Sequence, residues 1–353
     1  MSTRVRSFCK INLGLAVGPP RPDGFHHLST VYQTLQLHDF VTVAASRAAT
    51  TTIEITSNHR AVPRTETGTA ERNTAWKMVH RTLDRLNLNA HVQVHIEKTL
   101  PIQGGMGAGS ANAAAVTLAL ERELGVALPG PARLEVAAEV GSDVPLFLLG
   151  GTVLGLNRGE EVYPLPDTAP IPCVVAVPEI GVSTALAFQQ LDAVQLTSGS
   201  AVDKLKQLSR ALASVWSTTG VESGPSGIAF MDRAGLIPGD LPMGRASEMR
   251  DVSGDLAENP LLALVRTGIE NDFEEVVFSQ HPSLRSTKRD LVGSSSESAI
   301  YAALSGSGSA LFGLYQSQAD ALAAQHRVQR NGTRAIITET LPRRNYWATM
   351  FAE

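Results

Sequence analysis

Gly104-Gly105-Met106-Gly107-Ala108-Gly109-Ser110 lies between a strand-like alternation ending at Glu97 and a helical run that starts at Ala111. A glycine-rich turn feeding a helix lets backbone amides approach an anion closely and aims the positive end of the helix dipole at it, which is how phosphates are bound. The stretch is a phosphate-loop candidate, with a flexible glycine turn as the alternative. It is not a Walker A loop, because Gly104 and Gly109 have the spacing but Ser110-Ala111 stands where Lys-Ser/Thr is required. Nor is it a dinucleotide fingerprint, since Gly105 and Gly107 would require Gly or Ala at the position of Ser110.

Upstream of the loop, alternation at Val41 and Val43, at Ile53 and Ile55, and at Val92, Val94 and Ile96 predicts three short half-buried strands. Trp76, Val79, Leu83 and Leu86 follow Asn73-Thr74 at helical spacing and predict a capped amphipathic helix. Downstream, Ala113, Val116, Leu120 and Leu124 predict a helix stopped by Gly125, and Pro131 to Val140 another closed by Gly141. Cys173 to Val177 reads as a buried strand that opens a second domain, which divides the chain into residues 1–165 and 166–353. Val202 to Val215 outlines a helix, but 217–258 is rich in Gly, Ser, Pro and Asp, so about 195–258 reads as a mobile surface insertion. Helices are expected at 260–267 and around Phe273 to Val277, then a strand at 310–315, a helix at 320–330 and a strand at 335–338.

The 353 residues suffice for two domains with sizeable cores. Thirty Lys plus Arg against 34 Asp plus Glu give a net charge of −4, without the basic excess of a nucleic-acid binder. Two cysteines, Cys9 and Cys173, cannot build a disulfide framework and suit a reducing cytoplasm. The apolar stretch from Val144 to Leu156 is too short and too interrupted to span a bilayer, and the N-terminus reads as a first strand, not a signal peptide.

Other stretches carry chemistry. Ser305-Gly306-Ser307-Gly308-Ser309 offers a second ring of backbone donors, or a plain turn. Asp143, at a sharp break between helices, reads locally as an N-cap. Lys10 lies in an apolar strand, where a buried ammonium needs a carboxylate or an anionic ligand; Asp143 is one candidate partner, and a snorkelling surface lysine is the alternative. His26 and His27, adjacent on a strand, point to opposite faces and do not make a bidentate metal site.

Taken in order, the motifs resemble the GHMP kinase superfamily and, within it, the 4-diphosphocytidyl-2-C-methyl-D-erythritol kinases. The blocks that carry the resemblance are Lys10-Ile11-Asn12-Leu13 with Arg21-Pro22-Asp23-Gly24-Phe25-His26, then Pro101 to Ala114, Gly141-Ser142-Asp143-Val144-Pro145, and Leu304 to Leu311. The resemblance implies an α+β, two-domain fold: an N-terminal domain of ribosomal-protein-S5-like topology, a ferredoxin-like C-terminal domain, and the active site in the cleft between them.

It further implies ATP phosphates held by Pro101, Ile102, Gln103, the loop Gly104 to Ser110, and Ala111, with Gly306 and Ser307 nearby and adenine near Asn73 and Lys98. Phe25 would stack on the cytidine of a cytidyl-diphosphate substrate and His26 would read the base, with Thr184 and Phe188 completing the pocket. Asp143 would accept or orient the proton of the erythritol 2-hydroxyl, Lys10 would steady the charge, and Asn12 would help place the hydroxyl. Mg²⁺ would accompany ATP, held mainly by phosphates and water.

In two places the chain departs from the family pattern: Phe25 stands where tyrosine is common, and Ala111 replaces the second serine of a Ser-Ser pair, so that Ser110 serves alone. The expected activity is phosphorylation of the cytidyl substrate in the non-mevalonate isoprenoid pathway, by a monomer or homodimer that binds neither nucleic acid nor membrane. Another GHMP acceptor (homoserine, mevalonate or a sugar) or a non-catalytic nucleotide-binding protein of this fold is the alternative.

Overall fold

A computed structural model describes residues 2–102, 104–198, 270–294 and 298–352. Gln103, the expected helices at 202–215 and 260–267, and nearly all of the expected insertion lie outside the described residues.

Two sheets organise the chain. In the first, β1 (Thr3–Pro20) and β2 (His26–Arg47) form a long antiparallel hairpin, β4 (Ala90–Glu97) joins β2, and β3 (Thr52–Ser57) runs parallel to β4. β5 (Thr152–Asn157) pairs with the first part of β2, from Leu28 to Gln33, whereas β4 pairs with the last part, from Phe40 to Arg47. β6 (Glu161–Pro164) extends β5. The expected short strand at 41–43 is therefore only the end of β2. Residues 29–35 of that strand are buried on both faces, and burial on both faces removes the alternation by which a strand is read.

Register shifts between Phe8 and Lys10 and between Asn12 and Gly14 bracket Lys10 and Asn12 in β1. Irregularities of this kind re-aim side chains locally and recur beside functional sites. Helices α1 (Thr74–Leu86), α2 (Ala108–Leu124) and α3 (Gly130–Val140) cover the sheet. Val79, Leu83, Val116 and Leu120 from two of them meet Val41, Val94 and Ile96 of the strands in one core, by the helical spacing that predicts α1 and α2.

The second sheet has the order β10-β7-β9-β8, built from β7 (Pro172–Val177), β8 (Tyr301–Leu304), β9 (Leu311–Leu314) and β10 (Arg334–Glu339), all antiparallel. With α4 (Thr184–Ser198), α5 (Phe273–Gln280), α6 (Pro282–Val292) and α7 (Gln318–Arg330) along the path, this is the expected ferredoxin-like arrangement. Cys9, Ile11 and Leu13 of β1 pack with Cys173, Val175 and Phe312 of the second sheet, so the two units share an apolar seam. After β10 the chain returns: α8 (Arg343–Thr349) leads to β11 (Phe351–Ala352), which pairs with β1 at the edge of the first sheet.

Candidate active site

The glycine loop opens α2. Gly107, at φ +68°, is the N-cap, and Ala111 N–H donates to its carbonyl at 2.8 Å. Helix geometry leaves the N–H groups of Ala108, Gly109 and Ser110 without intrahelical acceptors, the arrangement that receives anions. Gly105 has φ +72°, and a Cβ there would stand 2.1 Å from the carbonyl oxygen of Ser305. The loop is thus pressed against the second glycine cluster. The Ser305 hydroxyl donates to Gly105 O at 3.1 Å, and Ala310 N–H donates to Gly104 O at 3.2 Å.

The loop walls a cleft of about 540 Å³ that Pro101, Ile102, Asn73 and Lys98 also line. Asn73 caps α1, its Oδ1 accepting from Ala75 N–H at 2.9 Å, while its Nδ2 donates to Pro63 O at 2.9 Å. Lys98 is paired with Asp39 at 2.5 Å. Both residues therefore reach the expected cleft with their polar atoms already engaged. Arg72 and Thr74, not singled out from the sequence, line the same cleft, and Ser110 does so from the loop. Ala111 is not brought to it: the side chain is buried with Tyr32, Val144 and Phe147, and its N–H is taken by Gly107.

Lys10 is buried, so it does not snorkel to the surface. Its Nζ donates to Asn12 Oδ1 and to Gly105 O, each at 2.7 Å, and stands 3.3 Å from Asp143 Oδ2. Asn12 in turn donates to Thr30 Oγ1 at 2.8 Å. Asp143 is not an N-cap: the 3-10 turn Pro145–Leu148 is entered through Val144 without a side-chain cap. Its oxygens instead meet Lys10 and the Tyr32 hydroxyl, which donates to Oδ1 at 3.0 Å. Burial, and after it the negative charge of Asp143, hold the Tyr32 phenol well above its ordinary pKa, so it stays a neutral donor. Sequence reasoning missed Tyr32; the only signal was a phenol between Val31 and the Gln33-Thr34 pair, a weak one, since a hydroxyl needs a partner only where it is buried.

The second glycine cluster stands over this pair, since a Cβ at Gly306 would lie 3.5 Å from Asn12 Oδ1 and 3.6 Å from Lys10 Nζ. Asn271 fixes it, donating to Leu304 O and Gly306 O at 2.9 and 2.8 Å. Ser307 Oγ lies 2.8 Å from Thr184 Oγ1, which ties the cluster to α4. One turn along α4, Phe188 stacks on the His26 ring with centroids 4.8 Å apart, and Asp192 Oδ1 stands 2.7 Å from His26 Nε2. His26 is buried and His27 exposed, as strand alternation predicts. Phe25 is half-exposed, with the Arg158 guanidinium 5.0 Å from its ring centre. Asp192 and Arg158 carry no signal in sequence, because both are brought in from distant elements.

The described residues include no group of three or more His, Cys, Asp or Glu side chains able to hold a metal ion, and none of their helices is long and apolar enough to cross a membrane.

Residues 73–151 match the model of the GHMP kinases N terminal domain and residues 255–334 that of the GHMP kinases C terminal. A 4-diphosphocytidyl-2-C-methyl-D-erythritol kinase of Solibacter usitatus is 34% identical over 316 residues, 89% of this chain and 81% of that protein. The protein of that name from Nocardioides sp. is 38% identical over 190 residues, 53% of this chain and 62% of its own, a match that spans a little under two thirds of that relative. Among solved structures, a 4-(cytidine 5'-diphospho)-2C-methyl-D-erythritol kinase superposes with a TM-score of 0.62 at 23% identity, covering 96% of this chain and 98% of the other. A homoserine kinase from Cytophaga hutchinsonii superposes with a TM-score of 0.66 at 18% identity, covering 97% and 95%. At such identities these two show the fold alone, a fold that serves more than one acceptor.

Proposed function

The chain belongs to the 4-diphosphocytidyl-2-C-methyl-D-erythritol kinases of the GHMP kinase family, and from that premise we propose how its residues divide the work of phosphorylating the 2-hydroxyl of that cytidyl substrate with ATP. The observation that carries the reading is the Asp143 carboxylate held 3.3 Å from a buried ammonium, Lys10, which itself bonds the carbonyl of Gly105 in the phosphate loop. A proton acceptor and a cation meet at the mouth of an anion cradle, which is what transfer of a phosphoryl group to an alcohol asks of a protein.

Phosphoryl transfer has little covalent chemistry for the protein to perform, so positioning and charge stabilisation carry the rate. Asp143 accepts the proton of the 2-hydroxyl as its oxygen bonds the γ-phosphorus and the bond to the ADP oxygen breaks. Lys10 faces the negative charge that gathers on the transferred group, and Asn12, oriented by Thr30, helps place the hydroxyl. The free N–H groups of Ala108, Gly109 and Ser110 hold phosphate oxygens, and Gly306 and Ser307 close the cradle from the second unit. Asn73 and Lys98 border the adenine end of the cleft. Phe25 supplies a stacking face for the cytosine, with His26 reading its edge and Thr184 and Phe188 completing the pocket.

Magnesium fits the donors present: a hard cation takes oxygen ligands, and the loop offers the Ser110 hydroxyl with phosphates and water as the remaining ligands. When bound, the ion neutralises phosphate charge.

The test is ADP release from MgATP with 4-diphosphocytidyl-2-C-methyl-D-erythritol, run beside homoserine, mevalonate and galactose, with Asp143→Asn as control. Turnover confined to the cytidyl substrate, and reduced at least about a hundredfold in Asp143→Asn with ATP binding intact, is expected. Turnover on another acceptor would overturn the assignment of Phe25 and His26, and full activity in the variant would overturn that of Asp143.

A further inference from the structure

Asp143 lies between α3 and a 3-10 turn, and no backbone cap fixes its side chain. A carboxylate on such a turn rotates broadly about its last bond. Here the two oxygens are held from two different strands: Oδ2 faces Lys10 of β1, and Oδ1 accepts from Tyr32 of β2. Tyr32 is the cross-strand neighbour of Asn12 on one side and of Val153 in β5 on the other, so its backbone is fixed at the centre of the sheet.

Its ring is fixed as well. Tyr32 is 2% exposed and packs with Val144 and Phe147, which flank and follow Asp143. Two glycines make room for it: a Cβ at Gly155 would stand 2.5 Å from ring carbon Cε2, and one at Gly159 would stand 2.5 Å from the hydroxyl. The phenol therefore reaches Asp143 from a slot it fills and cannot leave.

We propose that Tyr32 is a positioning residue for phosphoryl transfer, its hydroxyl setting the rotation of the Asp143 carboxylate so that Oδ2 stays aimed at Lys10 and the acceptor. The proposal rests on the reading of Asp143 as the group that takes the acceptor's proton. If instead Tyr32 merely satisfies a buried hydroxyl, its bond to Asp143 is a packing detail and turnover does not depend on it.

The experiment compares Tyr32→Phe, Asp143→Asn and the double variant in steady-state turnover with MgATP and the cytidyl substrate, each checked for an unchanged melting profile. Phenylalanine keeps the ring and removes only the donor, so the fold is retained. A hydrogen bond to a charged group is worth enough for kcat to fall roughly tenfold or more, while KM for both substrates stays within about twofold. In the Asp143→Asn background the same substitution is expected to change the residual rate by less than about twofold, because its effect passes through Asp143. Tyr32→Phe with kcat within about twofold of the parent, while Asp143→Asn is inactive, would overturn the proposal and leave the role of Asp143 standing. An equal loss in both backgrounds would also overturn it. Full turnover in Asp143→Asn would overturn both readings together.

Discussion

The ammonium of Lys98 stands 2.5 Å from Oδ2 of Asp39, a carboxylate that water does not reach. Asp39 also accepts from the N–H groups of Thr99 and Leu100, at 2.9 and 2.8 Å, where the chain leaves β4 for the glycine loop. Breaking a buried pair from one side leaves an uncompensated charge, which costs about 3–5 kcal/mol. Asp39→Ala is therefore expected to lower stability by roughly that amount and to weaken ATP binding as the approach to Pro101 loosens. Urea unfolding and ATP titration check this, and an unchanged unfolding midpoint would refute it.

Gly105→Ala tests the seam between the two glycine clusters. The new methyl would collide with the backbone of Ser305, and the positive φ is itself unfavourable for alanine. KM for ATP is expected to rise at least about tenfold, since a small displacement of a positioning loop costs that much or more. Gly68→Ala is the control: φ is +64° there too, but nothing lies within 4 Å of the added atom, so kinetics should hold.

Asp192→Asn addresses the base end of the site. The carboxylate stands 2.7 Å from His26 Nε2 and so selects which ring nitrogen carries the proton. KM for the cytidyl substrate is expected to rise about fivefold or more, with KM for ATP unchanged, because hydrogen bonds to a charged group are worth on this order. A rise in KM for ATP alone would show that Asp192 serves the other substrate.

The buried acids set an alkaline limit on stability. Burial pushes the Cys9 thiol from 9.0 up to about 12, and raises Cys173 and the phenols of Tyr301 and Tyr346 as well. Above about pH 9 the unfolded chain releases protons that the folded chain keeps, so stability, complete below that pH, falls as pH rises further. The urea midpoint should therefore decline between about pH 9 and 11. At pH 8 neither cysteine should react with a thiol reagent until the protein unfolds. A fast-reacting thiol in the native protein would contradict this account of burial.

Local patterns made α1, α2 and α3 legible: the Asn73 cap, the three- and four-residue apolar spacing and the stops at Gly125 and Gly141 are each contained in a few neighbouring residues. The partnership of Lys10 and Asp143 was legible as chemistry, since a buried ammonium needs an anion, but not as geometry. Asp143 read as a cap because the local pattern holds no trace of β1 and β2, which supply its partners. The length of β1 was hidden by burial, as residues 7–18 present no exposed face to alternate with. Lys98 was legible as a cleft residue, whereas its engagement by Asp39, 59 positions away in sequence, was not.

The return of the chain through α8 to β11 gives the molecule a clasp. Leu341, Tyr346 and Met350 complete the apolar core under the first sheet, and Tyr346 donates to Phe147 O at 2.6 Å just beyond the loop that carries Asp143. A cut between the two sheets, after residue 165, would separate the β1–β2 strand pair from the segment that seals it. The fragment 1–165 would then be the unit expected from sequence and an open-sided one by packing. Only when 340–352 are supplied, in the same chain or as a peptide, should it recover a closed core.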